Sequence, residues 1–320
     1  MLKITRKDED FFLRTYQKGD EEKIITLINE SLGINETLAH WQWKYITNPT
    51  GSLIILVTDK KGTIIGHIGL QRKRGVYYGV EYNFFISIDV AVTAPYRGYG
   101  LFGSSPLLLP SEKFIILGFP NSEALYSYKK FPPEYAQNFF FVDVPVFTKT
   151  LRLISRVHHL WSKREDSIQI VELKPIELDV LTNLWEKKKQ ELTTSVIRDA
   201  QYLKWRVCDC PQEITLYEIR INNCCIGYLS IVVKEKICFI IDIIVLNAHL
   251  TPVLIESMED LAYSLGASVI QLMINDGSII SLLLQEGYAV REKITCTHLN
   301  TIEKGKHFVS YITYSDTDLF

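Results

Sequence analysis

Apolar residues in GDEEKIITLINESLG recur at helical spacing, with Ile24, Leu27, Ile28 and Leu32 on one face. Acidic residues open its first turn and Gly33 supplies a stop, so the stretch predicts a helix. TLAHWQWKYITNP predicts a second, shorter helix that ends at Asn48-Pro49, because the residue before a proline is pushed out of the helical region. The pattern then changes to β. FFLRTYQ precedes the helices as a strand, and LIILVTD and TIIGHIGLQ follow them, joined by a tight hairpin at Asp59-Lys60-Lys61-Gly62. NFFISIDVAV is apolar on both faces and predicts a central strand.

The pattern then repeats. SIQIVEL, IELDVLTNLWEKKKQ, RDAQYLKWRV, ITLYEIR, IGYLSIVV and ICFIIDIIV restate it as strand, helix, helix and three strands. WKYITNP from Trp43 is answered by WRVCDCP from Trp205, and both β-rich runs that follow reach a glycine, Gly66 and Gly227. The offset between copies is the same for the tryptophans and the glycines to within one residue. IDVAV at Asp89 is answered by IDIIV at Asp242, although the first copy takes a longer path from its glycine to its aspartate. Two copies of one α+β unit follow, each a mixed, mostly antiparallel sheet flanked by helices. The expected division is residues 1–150, a linker over 151–167, and residues 168–320.

Composition bounds the partners. With 320 residues, 47% hydrophobic, 22% charged and a formal net charge of -2, the chain is expected to be a soluble cytoplasmic protein. It lacks the concentrated positive charge that nucleic acid requires and the long apolar run that a membrane requires. All six cysteines lie in the second half, and the CDC and CC pairs lack metal-ligand spacing, so buried reduced thiols and no metal are expected.

The chemistry gathers at APYRGYGLF, directly after the central strand of the first copy. A glycine-bearing turn between a strand and a helix start lets backbone amides point into one concavity, where the helix dipole adds positive charge. Gly98 and Gly100 leave the approach open and Arg97 adds fixed charge, so the stretch reads as a phosphate seat.

IDVAVTAPYRGYGLF resembles the acetyl-CoA signature of the GNAT superfamily of N-acetyltransferases, and in particular a bacterial branch with D-x-x-x-x-P-x-Y-R-G-x-G-I/L-F. NSEALYSYKKF resembles the superfamily's later segment through Asn121, Ala124 and Tyr128, and RDAQYLKWR resembles the start of a second GNAT-like unit in tandem members. The resemblance implies acetyl-CoA as cosubstrate, held by Val90, Ala91, Val92, Arg97, Gly98, Tyr99, Gly100, Leu101, Phe102 and Asn121. It implies acetylation of a small amine, an amino sugar being one candidate, by a monomer or homodimer. Tyr128 is the expected acid for the departing thiolate, with Tyr126 second; Asp89 and Glu81 are the candidate bases.

The copies differ where it matters. Leu250 stands where the repeat would place Arg97, and LNAHLTPVLIE contains no glycine, so the second copy is expected to bind no coenzyme. Its helix, TPVLIESMEDLAYSLG, has Thr251 as cap, Pro252 in the first turn and Gly266 as stop. In the first copy Pro106 and Pro110 interrupt the corresponding helix, which predicts one short turn followed by an irregular segment. That interruption keeps two alternatives open: a pseudoenzyme that binds or scaffolds, and an aminoacyl transferase of the tandem type.

Overall fold

A computed structural model of the chain describes residues 1–128, 139–151, 168–174, 178–303 and 310–317, without the side chains of Ser104, Pro106, Ser127 and Tyr128. The linker expected over 151–167 falls, apart from Leu151, outside the described residues. Two compact units are built from interleaved segments. The first comprises Met1–Arg74, Tyr82–Phe140 and Thr297–Lys306; the second comprises Gly75–Glu81, Phe141–Cys296 and His307–Phe320.

The first unit begins with β1 (Leu2–Arg6) and β2 (Glu9–Thr15), continues through α1 (Glu21–Leu32) and α2 (Leu38–Tyr45), and returns to β3 (Ser52–Thr58), β4 (Ile64–Tyr77) and β5 (Val80–Val92). β6 (Phe114–Gly118) and α3 (Ser122–Tyr128) complete it. Helix α1 buries Ile24, Leu27 and Ile28, while Leu32, at its last position, is exposed. Gly33 ends it in the left-handed conformation, with its N–H on Asn29 O. The sheet runs β1-β2-β3-β4-β5-β6, antiparallel from β1 to β4 and parallel between β5 and β6. Its last place is filled from the far end of the sequence, where Thr297–Asn300 pair antiparallel with β6. These residues close the long strand β14 (Ala289–Asn300), which the repeat does not reveal.

The segment after the glycine turn differs from its expectation. Leu101–Leu108 is a 3-10 helix, not one turn followed by irregular chain. The tighter winding brings an N–H to the carbonyl three residues before it, as Gly103 N–H donates to Gly100 O at 3.1 Å. Pro110 falls beyond its end.

The second unit follows the same order with β7 (Phe139–Thr150), β8 (Ile168–Glu172), α4 (Asp179–Lys188), β9 (Thr194–Val196), α5 (Ala200–Leu203), β10 (Thr215–Ile221), β11 (Cys224–Lys234), β12 (Ile237–Val245), α6 (Pro252–Ser264), β13 (Val269–Met273) and α7 (Gly277–Gln285). Its sheet runs β7-β13-β12-β11-β10-β8, with β12 and β13 parallel. β9 pairs with Gly75–Tyr77, the end of β4. Pro252 begins α6 as expected; Thr251 stands at the cap position, but its side chain makes no capping hydrogen bond among the described residues. All six cysteines are free, but Cys224 is exposed and Cys208 and Cys225 half-buried, so only Cys210, Cys238 and Cys296 are core residues. Among the described residues no helix is long and apolar enough to cross a membrane.

Because Thr297–Asn300 supply the outer neighbour of β6, a chain ended at residue 150 leaves that strand with an open edge. Such a fragment is expected to aggregate on size exclusion where the full chain elutes cleanly. A soluble fragment with a cooperative melt would contradict this.

Candidate functional site

β5 and β6 form a fork. They pair in parallel from Asn83↔Phe114 to Ser87↔Gly118, where β6 ends and β5 runs on to Val92. The IDVAV stretch is therefore the free arm of the fork. Val90 on it is 40% exposed, Ala91 is buried and Val92 is half-buried.

A short 3-10 turn, Ala94–Tyr96, leads from that arm into the glycine loop. Gly98 and Gly100 have φ of +76° and +64°, and a Cβ built on either meets nothing within 4 Å. Backbone demand, not crowding, calls for glycine here, and the space above both residues is open. Among the described residues no acceptor is found for the amides of Gly98, Gly100, Leu101 and Phe102. Amide donors at the start of a helix suit an anion. Tyr96, Tyr99 and Phe102 pack the loop against a core of Ile4, Phe11, Leu13, Val57, Ile65 and Leu101.

Arg97 does something else. Its guanidinium donates to Ser31 O at 3.0 Å and Val92 O at 3.4 Å, tying the loop to the last turn of α1 and to the end of β5. The side chain of Asn121 likewise accepts from Ala124 N–H at 2.9 Å and caps α3. Tyr126 is exposed on that helix; the side chain of Tyr128, its last residue, lies outside those described.

Asp89 is buried beneath the free arm. One of its carboxylate oxygens accepts from Lys44 Nζ at 2.5 Å and from the Tyr45 hydroxyl at 2.7 Å. Lys44, itself buried, also contacts Glu36 at 2.5 Å, and Glu36 reaches His40 Nδ1 at 2.8 Å. Gly69 makes this arrangement possible, since a Cβ there would lie 2.0 Å from the Tyr45 oxygen. Burial raises the Asp89 pKa, but the Lys44 ammonium outweighs it and holds the carboxyl below its ordinary range. A carboxylate stabilised as an anion is a poor proton acceptor, so Asp89 reads as a structural anchor and not as the candidate base. Glu81, the other candidate, stands at the opposite end of β5 from Val90.

Sequence reasoning passed over His67. It lies on β4, is fully buried with its ring edge-on to Tyr45, and its Nδ1 is 2.7 Å from the backbone oxygen of Asp89. Burial lowers its pKa, so the ring is neutral and Nδ1 donates. A polar residue inside the apolar run IIGHIGL was the available signal.

The second unit keeps the frame and closes it. There β12 runs past its parallel partner β13 in the same way, but Ser310–Thr317 of the C-terminal segment is buried against it. Tyr311 donates to Ile243 O, and Thr313 Oγ1 reaches Asp242 at 2.7 Å. Arg198 sits buried between Asp242 at 2.9 Å and Asp316 at 2.6 Å. The arm Ile241–Val245 is wholly buried, in contrast to Val90.

The buried groups of the first unit set an acid sensitivity. His67, Asp89 and Glu36 all have folded pKa values below their ordinary ones, so the unfolded chain binds more protons as pH falls. Stability is expected to fall first as pH drops below about 6.5, where an unfolded histidine protonates, and again below about 4 for the carboxylates. Lys44, raised by its partners, keeps its full contribution over this range. Asp316, pushed up by burial, acts in the opposite sense at acid pH, so comparison with His67→Asn isolates the histidine. The melting temperature of the wild type should drop between pH 7.5 and 5.5 and that of His67→Asn should drop less; parallel curves would contradict the assignment.

No family model matches the sequence, and no curated protein does either. Solved structures do. A conserved protein of unknown function from Enterococcus faecalis V583, described as a probable N-acyltransferase, aligns over 90% of this chain and 72% of its own with TM-score 0.65 and 12% identity. A GCN5-related N-acetyltransferase from Anabaena variabilis aligns over 90% and 72% with TM-score 0.62 and 11% identity. N-myristoyltransferase from Saccharomyces cerevisiae, solved with bound myristoyl-CoA, aligns over 91% and 82% with TM-score 0.56 and 11% identity. The chain thus has the fold of GCN5-related N-acetyltransferases, shared in outline by N-myristoyltransferase.

Proposed function

We propose that the chain is an acyl-CoA-dependent N-acyltransferase whose first unit holds the coenzyme and whose second unit does not. The observation that carries this reading is the open fork of β5 beside four unbonded amides, set against the same fork closed in the second unit. The pyrophosphate of the coenzyme would lie on the amides of Gly98, Gly100, Leu101 and Phe102, and its thioester along Val90 to Val92. Arg97 contributes by holding the loop and Tyr99 by packing it. Asn121 contributes by starting α3 at the end of β6.

The chemistry follows from what acyl transfer requires. An amine lone pair attacks the thioester carbon, the N–C bond forms and the C–S bond breaks. Negative charge grows on the thioester oxygen first, and backbone N–H groups beside β5 are fixed donors for it. The departing thiolate takes a proton from an acid whose pKa exceeds about 8.5, for which a tyrosine near 10 is suited. Tyr128, at the end of α3, fills that role in this reading, with Tyr126 as the alternative. The amine proton leaves through water, because Asp89 is committed to Lys44. The acceptor is a small amine, and an amino sugar is one member of that class. A reducing cytoplasm suits a chain with six free cysteines.

The test is a melting scan with acetyl-CoA. A ligand at a hundred times its dissociation constant stabilises by about 2.7 kcal/mol. The wild type should shift upward, and Gly100→Val, strained at positive φ and blocking the open face, should lose the shift. No shift in the wild type would favour a scaffold without coenzyme. Turnover in Tyr128→Phe should fall roughly ten to ten thousand fold with little change in coenzyme affinity. Full activity in both Tyr128→Phe and Tyr126→Phe would refute the tyrosine acid.

A further inference from the structure

The backbone of Asp89 is unusual. Its φ is +49°, a left-handed conformation that side chains rarely adopt. Among the described residues, every other non-glycine with positive φ lies in a turn between strands: Lys7 and Asp8, Tyr78, Asn222 and Asn223, Glu235 and Lys236. Asp89 alone is inside a strand, at the root of the free arm. The sheet does not require this. Asp242 holds the corresponding place in β12 and has no positive φ.

The contact on the backbone carbonyl is one difference between the two cases. The carbonyl of Asp89 accepts from His67 Nδ1 at 2.7 Å, and the repeat places Tyr228 where His67 stands. Tyr228 bonds the Asp242 side chain at 2.7 Å instead of a backbone oxygen. β12 also shifts register beside Asp242, so what separates the two strands is the positive φ, which occurs where His67 holds the backbone carbonyl. Among the described residues His67 Nε2 has no hydrogen-bond partner, so Nδ1 is the nitrogen that ties the ring to the backbone. The ring also lies edge-on to Tyr45 of α2. In a trans peptide the C=O and the following N–H point in opposite directions, so holding the Asp89 carbonyl also fixes the direction of the Val90 N–H; among the described residues no peptide bond is cis.

Resting on the acyl-transfer reading above, we propose that His67 is a positioning residue: by holding the Asp89 carbonyl it fixes the left-handed turn in β5 and so aims the Val90 N–H at the thioester oxygen. His67 touches neither coenzyme nor acceptor. Strain at a single strand residue is retained because it orients one donor, which is where such outliers gather in functional proteins. Lys44 and Tyr45 hold the side chain of the same residue, so the turn is gripped at both its carboxylate and its carbonyl.

The test uses the full chain and acetyl-CoA labelled with carbon-13 at the thioester carbonyl. An amide bonded to that oxygen lowers its infrared stretch, a signature that packing alone does not produce. His67→Asn places a donor near the Nδ1 position, whereas His67→Gln carries its donor one bond farther out and His67→Leu carries none. The wild type and His67→Asn should show the lowered stretch, and His67→Gln and His67→Leu should show the solution value, with acetyl-CoA affinity within about twofold in all four. With an active amine, kcat should fall at least tenfold in the last two while KM for acetyl-CoA holds. If His67→Leu fails to fold, the contrast between Asn and Gln decides alone. A lowered stretch in both, or in neither, overturns the positioning role and leaves the acyltransferase reading standing. Absence of acetyl-CoA binding by the wild type overturns both.

Discussion

A lysine ammonium out of water organises the first unit. Lys44 is almost wholly buried, and the structure keeps it charged by placing Glu36 and Asp89 each 2.5 Å from its nitrogen. Removing one partner of a buried pair leaves an unmatched charge, at a cost of about 3–5 kcal/mol. Loss of either partner is therefore costly, and this ties α2 to the root of the β5 arm. Much else follows from that clamp. Gly69 must be bare to admit Tyr45, Tyr45 must reach Asp89, and the strand must turn at Asp89 to present its carboxylate inward and its carbonyl to His67.

The two units treat a similar strand in opposite ways. Both units extend a central strand past a parallel neighbour, and both bury an aspartate on that strand beside a cation. In the first, the cation comes from the helix below and the arm above is left open. In the second, Arg198 recruits Asp316 of the C-terminal segment, and Ser310–Thr317 cover the arm. A buried guanidinium between two carboxylates gives that segment a strong reason to stay in place. The closed fork belongs to the unit whose corresponding loop, at Leu250, has no glycine.

Much of this was legible in the sequence where the signal is local. The glycines and proline of APYRGYGLF, the hairpin at Asp59–Gly62 and the stop at Gly33 each announce a backbone conformation that few other residues accept, and each is found. Signals that depend on distant partners were not legible. Nothing near Asp89 names Lys44 as its partner, and an aspartate inside an apolar strand gives no sign of positive φ. Arg97 reads as a phosphate cation because the carbonyls that occupy it, Ser31 and Val92, become neighbours only on folding. Asn121 is a missed local case: Asn-Ser-Glu-Ala before an apolar pair is a helix start, and the side chain caps. The exchange that places Thr297–Asn300 beside β6 leaves no mark in periodicity, since a strand reads alike whichever sheet receives it.

The central claim is that one fork of the two is open to an acyl-CoA. Calorimetric titration of the full chain with acetyl-CoA counts the sites directly. The account predicts a single class of site with a stoichiometry of one per chain, because Ser310–Thr317 occupy the second fork. Two sites per chain, or one that persists after Gly98 and Gly100 are both replaced by valine, would contradict it.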